Sequence, residues 1–178
     1  MMNIEWLIEH FGFEELPVEG GIFSQTYLSE ESISATALPD RYGVDKPFGT
    51  AILYLLTADA NSFSAMHKLP TDEIYHFYLG DAVEMLHLHP DGSSEHVYLG
   101  QELNKGQFVQ YTVPRDTWQG SHLKKGGRYA LLGTTMAPGF THHDYVGGRR
   151  DELIEQYPDQ TELISQLTRP DKPVHMDG

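Results

Sequence analysis

A histidine and a glutamate stand six residues apart in the stretch Met66 to Gly80, MHKLPTDEIYHFYLG. His67 precedes a turn, Leu69-Pro70-Thr71-Asp72, and Glu73 opens a strand-like run, Ile74 to Leu79. An imidazole and a carboxylate held across a tight turn at the mouth of a sheet can move a proton, or begin a metal site. Period-two alternation from Glu73 puts Glu73, Tyr75 and Phe77 on one face and Ile74, His76 and Tyr78 on the other. An inward Glu73 would lie among aromatics and need a partner or a proton. His67 is the natural partner, although an arbitrary His and Glu at this spacing are more often surface-turn residues.

A second group lies in Gly106 to His122, GQFVQYTVPRDTWQGSH. A strand is expected to end at Pro114, with Trp118-Gln119-Gly120-Ser121 starting the next segment. Gln119 could present an amide to an interior, with Trp118 as an apolar wall. His87 and His89 form a His-x-His on an expected strand, so they share one face. No carboxylate stands beside them at ligand spacing, and partly exposed strand histidines are expected. His96 and His122 are expected to face solvent. His142 and His143 are adjacent, which in a strand would point them to opposite faces.

The elements that must position these residues read as mostly β. Seventeen Gly and ten Pro in 178 residues mark many turns. Asn3 to Phe11 fits a short helix: Asn3 can cap it, Ile4, Leu7, Ile8 and Phe11 form a stripe, and Gly12 can stop it. A strand is expected through Tyr27, then a long loop to Pro47 with one strand near Ser32–Ala37. Thr50 to Thr57 is apolar at nearly every position, as in a strand covered on both faces. Its outer cover is either a second subunit or the N-terminal helix. Further strands are expected at Glu73–Leu79, Ala82–His89, Ser94–Leu99, Gln107–Val113 and Arg128–Met136, separated by Gly and Pro turns. Two short helical patterns follow Asp151. A single domain over 1–170 with a loose tail at 171–178 is expected.

The charge balance of 12 basic and 26 acidic residues gives a formal −14. That surface repels phosphate backbones and anionic lipid, so neither nucleic acid nor membrane is expected as a partner. The sequence has no cysteine, which removes disulfides and thiol nucleophiles. The N-terminal stretch lacks the basic flank and apolar core of a signal peptide, and a cytoplasmic location is expected.

Taken together, the motifs resemble those of the cupin superfamily. His67, Leu69, Glu73 and Gly80 fall on its first motif. Gly106, Pro114, Asp116 and Gln119 fall on its second. Within the superfamily the chain looks most like the fifth cupin group, an uncharacterised family of domains of unknown function. The marks are Val18-Glu19-Gly20-Gly21-Ile22-Phe23, Asp72 to Gly80, Val113-Pro114, Trp118-Gln119 and Ala137-Pro138-Gly139-Phe140. The resemblance implies an all-β fold, a double-stranded β-helix or jelly-roll barrel with short N- and C-terminal helices. It also implies an open-mouthed pocket, and commonly a homodimer.

Metal-dependent cupins hold their ion with two His and a Glu of the first motif and a His of the second. This chain keeps His67 and Glu73 but has Leu69 and Gln119 at the other two places. The ligand set so implied, His67, Glu73 and Gln119, would hold a divalent ion weakly. A replacement by His76 would require a bulge to turn it inward. Within the subfamily a Tyr commonly stands where this chain has Ile22, an Arg where it has Ser24 and a Gly where it has Asp116. Loss of a pocket-facing Arg would argue against an anionic substrate.

Three functions are therefore carried forward. The first is a metal-independent isomerase or epimerase acting on a sugar-like or other small polar substrate. His67 would shuttle the proton, Glu73 would orient it and set its tautomer, and Tyr75 or Tyr78 would be the opposing acid. Phe23, His76, Tyr78, Trp118 and Gln119 are the expected ligand contacts. The second is a metal-dependent oxygenase or lyase with a degenerate ligand set. The third is a binding protein for a small polar ligand, without turnover.

Overall fold

The computed structural model describes residues 3–176; residues 1–2, and residues 177–178 of the expected loose tail, lie outside the described residues. Helix α1 (Ile4–Phe11) begins on Asn3, whose side chain accepts from the amides of Glu5 at 2.8 Å and Trp6 at 3.4 Å, and ends on Gly12 at φ 62°. Strands β1 (Glu14–Glu15), β2 (Ile22–Leu28), β3 (Ser32–Ile33), β4 (Lys46–Pro47), β5 (Thr50–Thr57), β6 (Phe63–Lys68) and β7 (Glu73–Gly80) follow. The chain continues through β8 (Val83–Leu88), β9 (Ser94–Leu99), β10 (Gln110–Val113), β11 (Trp118–Leu123), β12 (Tyr129–Met136) and β13 (Val146–Gly147). Helices α2 (Arg150–Gln156) and α3 (Thr161–Gln166) close it.

The strands form two facing antiparallel sheets. One has the order β1-β2-β5-β12-β7-β10 and the other β13-β6-β11-β8-β9, while β3 and β4 make a separate pair. This is the jelly-roll sandwich that the family resemblance implied, and one of the two β forms, sandwich or barrel, that the turn-rich sequence allowed. Between the sheets the inward side chains of β5, β7, β8, β9 and β12 pack one cluster, including Tyr54, Leu56, Tyr75, Phe77, Met85, Leu99 and Leu132. Each such side chain taken out of water stabilises the fold by about 1.5–3 kcal/mol. The cluster fills one end of the interior only. Farther along β5 and β12 the inward positions are Thr50, Ile52, Thr134 and Met136, and these line a cavity instead.

The outer cover of β5 is intramolecular. Leu7 of α1 packs on Leu55, Tyr129 and Leu131, with Ile4, Ile8 and Leu53 around them. On the other sheet α2 and α3 bury Leu153, Tyr157, Ile164 and Leu167 against Met66, Leu86 and Leu88. The tail beyond α3 is tied to the barrel as far as it is described. Gly147 donates its backbone N–H to Val174 O at 2.7 Å, and Met176 reaches the cavity wall.

Two of the longer strands, β6 and β11, were absent from the sequence expectations, as were the two-residue strands β1, β4 and β13. The two longer ones are neighbours in the second sheet and carry His67 and Gln119. Near Ser32–Ala37 the chain makes the short β3 and then a 3-10 turn, Ala35–Ala37, rather than one strand.

Candidate active site

The turn Leu69 to Asp72 does more than bend the chain. It carries the chain from β6 in one sheet to β7 in the other, so His67 and Glu73 face the interior from opposite walls. The turn is fastened along its length. Leu69 O accepts from the amide of Asp116 at 2.9 Å, Asp72 Oδ1 from the amide of Arg115 at 2.8 Å, and Pro70 O from Arg41 Nε at 3.0 Å. Asp116 stands at φ 64°, the left-handed region, where the family motif has glycine. Aspartate tolerates that region better than most residues, which lets this chain keep the turn without the glycine.

His67 and Glu73 are 2 % and 7 % exposed, and both line a cavity of about 240 Å³. His67 Nδ1 lies 2.8 Å from Ala65 O. A carbonyl can only accept, so the proton sits on Nδ1 and the lone pair on Nε2. Nε2 has no protein partner among the described residues. The tautomer is therefore set by the backbone of β6 and not, as expected from sequence, by Glu73. The ring stacks on Tyr145, with centroids 5.1 Å apart and planes at 16°.

Glu73 accepts a hydrogen bond from Gln119 Nε2 at 2.8 Å, sheet to sheet. Burial raises the Glu73 carboxyl above the usual carboxylate range. His67 works against that rise, the charge of Glu19 adds to it, and hydrogen bonds from Thr134 and Gln119 oppose it. Tyr75, inward and 2 % exposed, is pushed far above the usual phenol value by burial and then by the neighbouring Glu73 charge. It belongs to the packed cluster and is not among the cavity-lining residues.

The structure brings Phe23, His67, Leu69 and Glu73 to this cavity, and Gln119 behind Glu73. It does not bring His76, Tyr78 or Trp118 there. No bulge reverses the start of β7, so His76 stays on the outer face, 3.1 Å from Thr135 Oγ1 and 3.2 Å from Gln110 Nε2. Tyr78 lies on the same outer face, its ring over Gly133, where a Cβ would come within 2.7 Å. Trp118 alternates away from Gln119 and packs beneath the C-terminal helices with Lys68 Nζ 4.7 Å from its ring.

Sequence reasoning missed two features. The first is Glu19. Gly20 and Gly21, at φ 97° and 70°, make a turn that presses on Phe63 and Tyr54 where any Cβ would collide. The turn sets Glu19 at the cavity, with Oε1 accepting from Ser64 Oγ at 2.6 Å. The available signal was a carboxylate directly before a Gly-Gly pair in a family motif. The second is His87, which is fully buried rather than partly exposed. It pairs with Gln119 on one side and Glu95 on the other, so His67, Gln119, His87 and Glu95 stand in one register across β6, β11, β8 and β9.

Glu95 is thus the carboxylate that local spacing did not show. His87 Nδ1 and His89 Nε2 lie 3.4 and 3.3 Å from its Oε1, and the Tyr111 hydroxyl donates to it at 3.0 Å. Burial lowers His87 against the pull of Glu95. Burial and Glu95 push Tyr111 up to about 12. Gln119 Oε1 and His87 Nε2 are both buried without a hydrogen-bond partner among the described residues. His142 also lines the cavity, from a 3-10 turn, His142–Asp144, rather than a strand. Of the two histidines expected at the surface, His96 is exposed and His122 half-buried, and both approach Glu84 on the outer side of the second sheet.

The family model described as cupin superfamily (DUF985) matches residues 5–146. The chain belongs to that family of the cupin superfamily. Among solved structures it is similar to a protein of Shewanella oneidensis (26 % identity, 96 % of this chain and 100 % of that one, TM-score 0.83). It is similar also to a hypothetical protein of Leishmania major (25 % identity, 94 % and 99 %, TM-score 0.82). Oxalate decarboxylase of Bacillus subtilis, described with Mn(II) centres, shares the fold at 12 % identity over 93 % of this chain and 40 % of that one, TM-score 0.51. No protein of curated function matches the chain.

The residues at the superfamily's metal positions do not suit a tight metal site. Leu69 is a hydrocarbon wall, and Gln119 spends its amide N–H on Glu73. Among the described residues no three of His, Asp or Glu group as metal ligands.

Proposed function

We propose that the cavity binds a small polar carbonyl compound and moves a proton next to the carbonyl, as in isomerisation or epimerisation. The observation that carries this reading is the opposed pair. His67 presents a bare Nε2 to the cavity because Ala65 O holds the Nδ1 proton, and Glu73 faces it with a carboxyl that burial keeps inclined to retain its proton. An imidazole lone pair opposite a carboxyl that retains its proton is what acid–base catalysis needs. In this scheme the substrate C–H proton passes to His67 Nε2 while Glu73 protonates the carbonyl oxygen. The resulting enediol (or enaminol) is then reprotonated at carbon from His67 while Glu73 takes back the hydroxyl proton, which re-forms the carbonyl and restores both groups. Tyr75 and Tyr78 take no part: the first is packed in the core, the second lies outside.

The test is wash-in of solvent deuterium, followed by proton NMR, over a panel of aldoses, ketoses and amino-ketones in D₂O. Wild type should exchange the proton beside the carbonyl of at least one member. His67→Ala should lose about 10²–10⁴-fold in that rate. An unchanged rate in His67→Ala, or no exchange with any member, counts against the reading.

A further inference from the structure

The charges at the cavity are one-sided. Among the described residues Glu14 and Glu19 line it beside the proton-retaining Glu73, and no Lys or Arg does. Two cations of the surrounding structure, Lys46 and Arg169, are engaged by other groups than the Glu19 carboxylate. Lys46 is fully buried against Asp144 and donates to Thr141 Oγ1 at 3.0 Å. Arg169 donates to Asn61 O at 2.6 Å and to Glu19 O at 3.4 Å, with its guanidinium 3.9 Å from the Phe63 ring centroid. Glu19 is half-buried, and among the described residues its carboxylate accepts a hydrogen bond from Ser64 alone. A carboxylate in that setting gains from a cation that it does not gain from water. Around it the wall is apolar, with Leu16, Phe23, Ile52, Met136 and Phe140. A second, independent mark of a ligand is the buried His67, whose Nε2 faces the same space without a protein partner.

We infer that this cavity selects a small ligand carrying a protonated amine, held on Glu19, with a short apolar body against Phe23 and Met136. It discriminates against carboxylates and phosphates of the same size. The inference rests on the pocket assigned above and narrows its substrate class to amine-bearing carbonyl compounds. At about 240 Å³, the space is below the usual range for drug-sized ligands and suits a single ring or a short chain.

The probes are benzylamine, benzyl alcohol and benzoate, three molecules of one shape and different charge. Binding is read at neutral pH from the methyl resonances of Met136 and Met176, and by calorimetry. Benzylamine should bind most tightly and benzoate should not bind. Glu19→Gln keeps an acceptor for Ser64 and should weaken benzylamine by about tenfold, with benzyl alcohol unchanged as the check on folding. Benzoate binding as tightly as benzylamine overturns the inference, as does full benzylamine affinity in Glu19→Gln, or no binding by any of the three. Intact discrimination by wild type without deuterium wash-in would sink the reaction while leaving the ligand class standing.

Discussion

Gln119 and Glu73 join the two sheets of the barrel through one hydrogen bond of 2.8 Å, donated by the amide and accepted by the carboxylate. The bond is buried at both ends; it fixes Glu73 in place and offsets only part of the cost of burying its charge. Because burial raises the folded-state pKa of Glu73, the folded protein holds this proton more tightly than the unfolded chain. Stability from this group is therefore greatest below the unfolded carboxyl value. It declines as pH rises from there through the raised folded value, and stays lost above it. Glu73→Gln removes the titration and keeps an acceptor for Gln119. The variant should melt higher than wild type at neutral pH, and the difference should shrink on acidification, as read by thermal melts across pH 4–8 (about the ordinary carboxyl range and above).

The ion pair of Lys46 and Asp144 anchors the loop that brings Phe140 and His142 to the cavity. Both side chains are essentially sealed from water. Lys46→Met should cost about 3–5 kcal/mol in denaturant unfolding, because it strands a buried carboxylate. The double variant Lys46→Met with Asp144→Leu should recover most of that loss. If the single and double variants lose the same amount, loop packing rather than charge explains the effect.

Leu69 and Gln119 occupy the two places where this chain departs from the metal-binding pattern. Replacing both, Leu69→His with Gln119→His, should create divalent-ion binding that wild type lacks in strength. A melting scan with and without manganese or nickel checks it. A hundredfold excess over the dissociation constant should stabilise the double variant by about 2.7 kcal/mol. A wild-type protein that gains as much would show that the present donor set already suffices.

Asp116 holds a left-handed backbone at φ 64° with its side chain largely in solvent. Glycine takes that conformation without the steric cost. Asp116→Gly should thus stabilise by about 0.5–1 kcal/mol in urea unfolding. A loss of stability would point to the weak Arg115 contact, 3.8 Å away, as the larger effect.

What was legible in the sequence, and what was not, divides along the polarity of the inward positions. Where the interior is apolar, alternation reported the strand, as in Thr50–Thr57 and Glu73–Gly80. The faces of Glu73, Tyr75, Ile74 and His76 followed directly. β6 and β11 went unread because their inward residues, His67, Gln119 and Ser121, are polar. Ser64 and Gly120 break the pattern further, at the register shift between these strands. Gly120 is forced there: a Cβ would meet Met66 Sδ at 2.7 Å. His87 was misjudged because its partner Glu95 lies across a hairpin, a relation no local window shows. Glu19 stands in a recognisable motif, but its approach to the site depends on a loop crossing to β6, where Ala65 donates to Glu19 O at 2.9 Å.

The single register shared by His67, Gln119, His87 and Glu95 sorts the changes in length that the chain can accept. Extra residues in the hairpin loop at 90–93 would lengthen an exposed turn and leave all four cross-strand partners in step. One extra residue inside Trp118–Leu123 would instead swap the two sides of the strand, sending an indole inward and an amide under the helices. Homologues of this barrel should accordingly differ in loop size while holding β11 to a constant count.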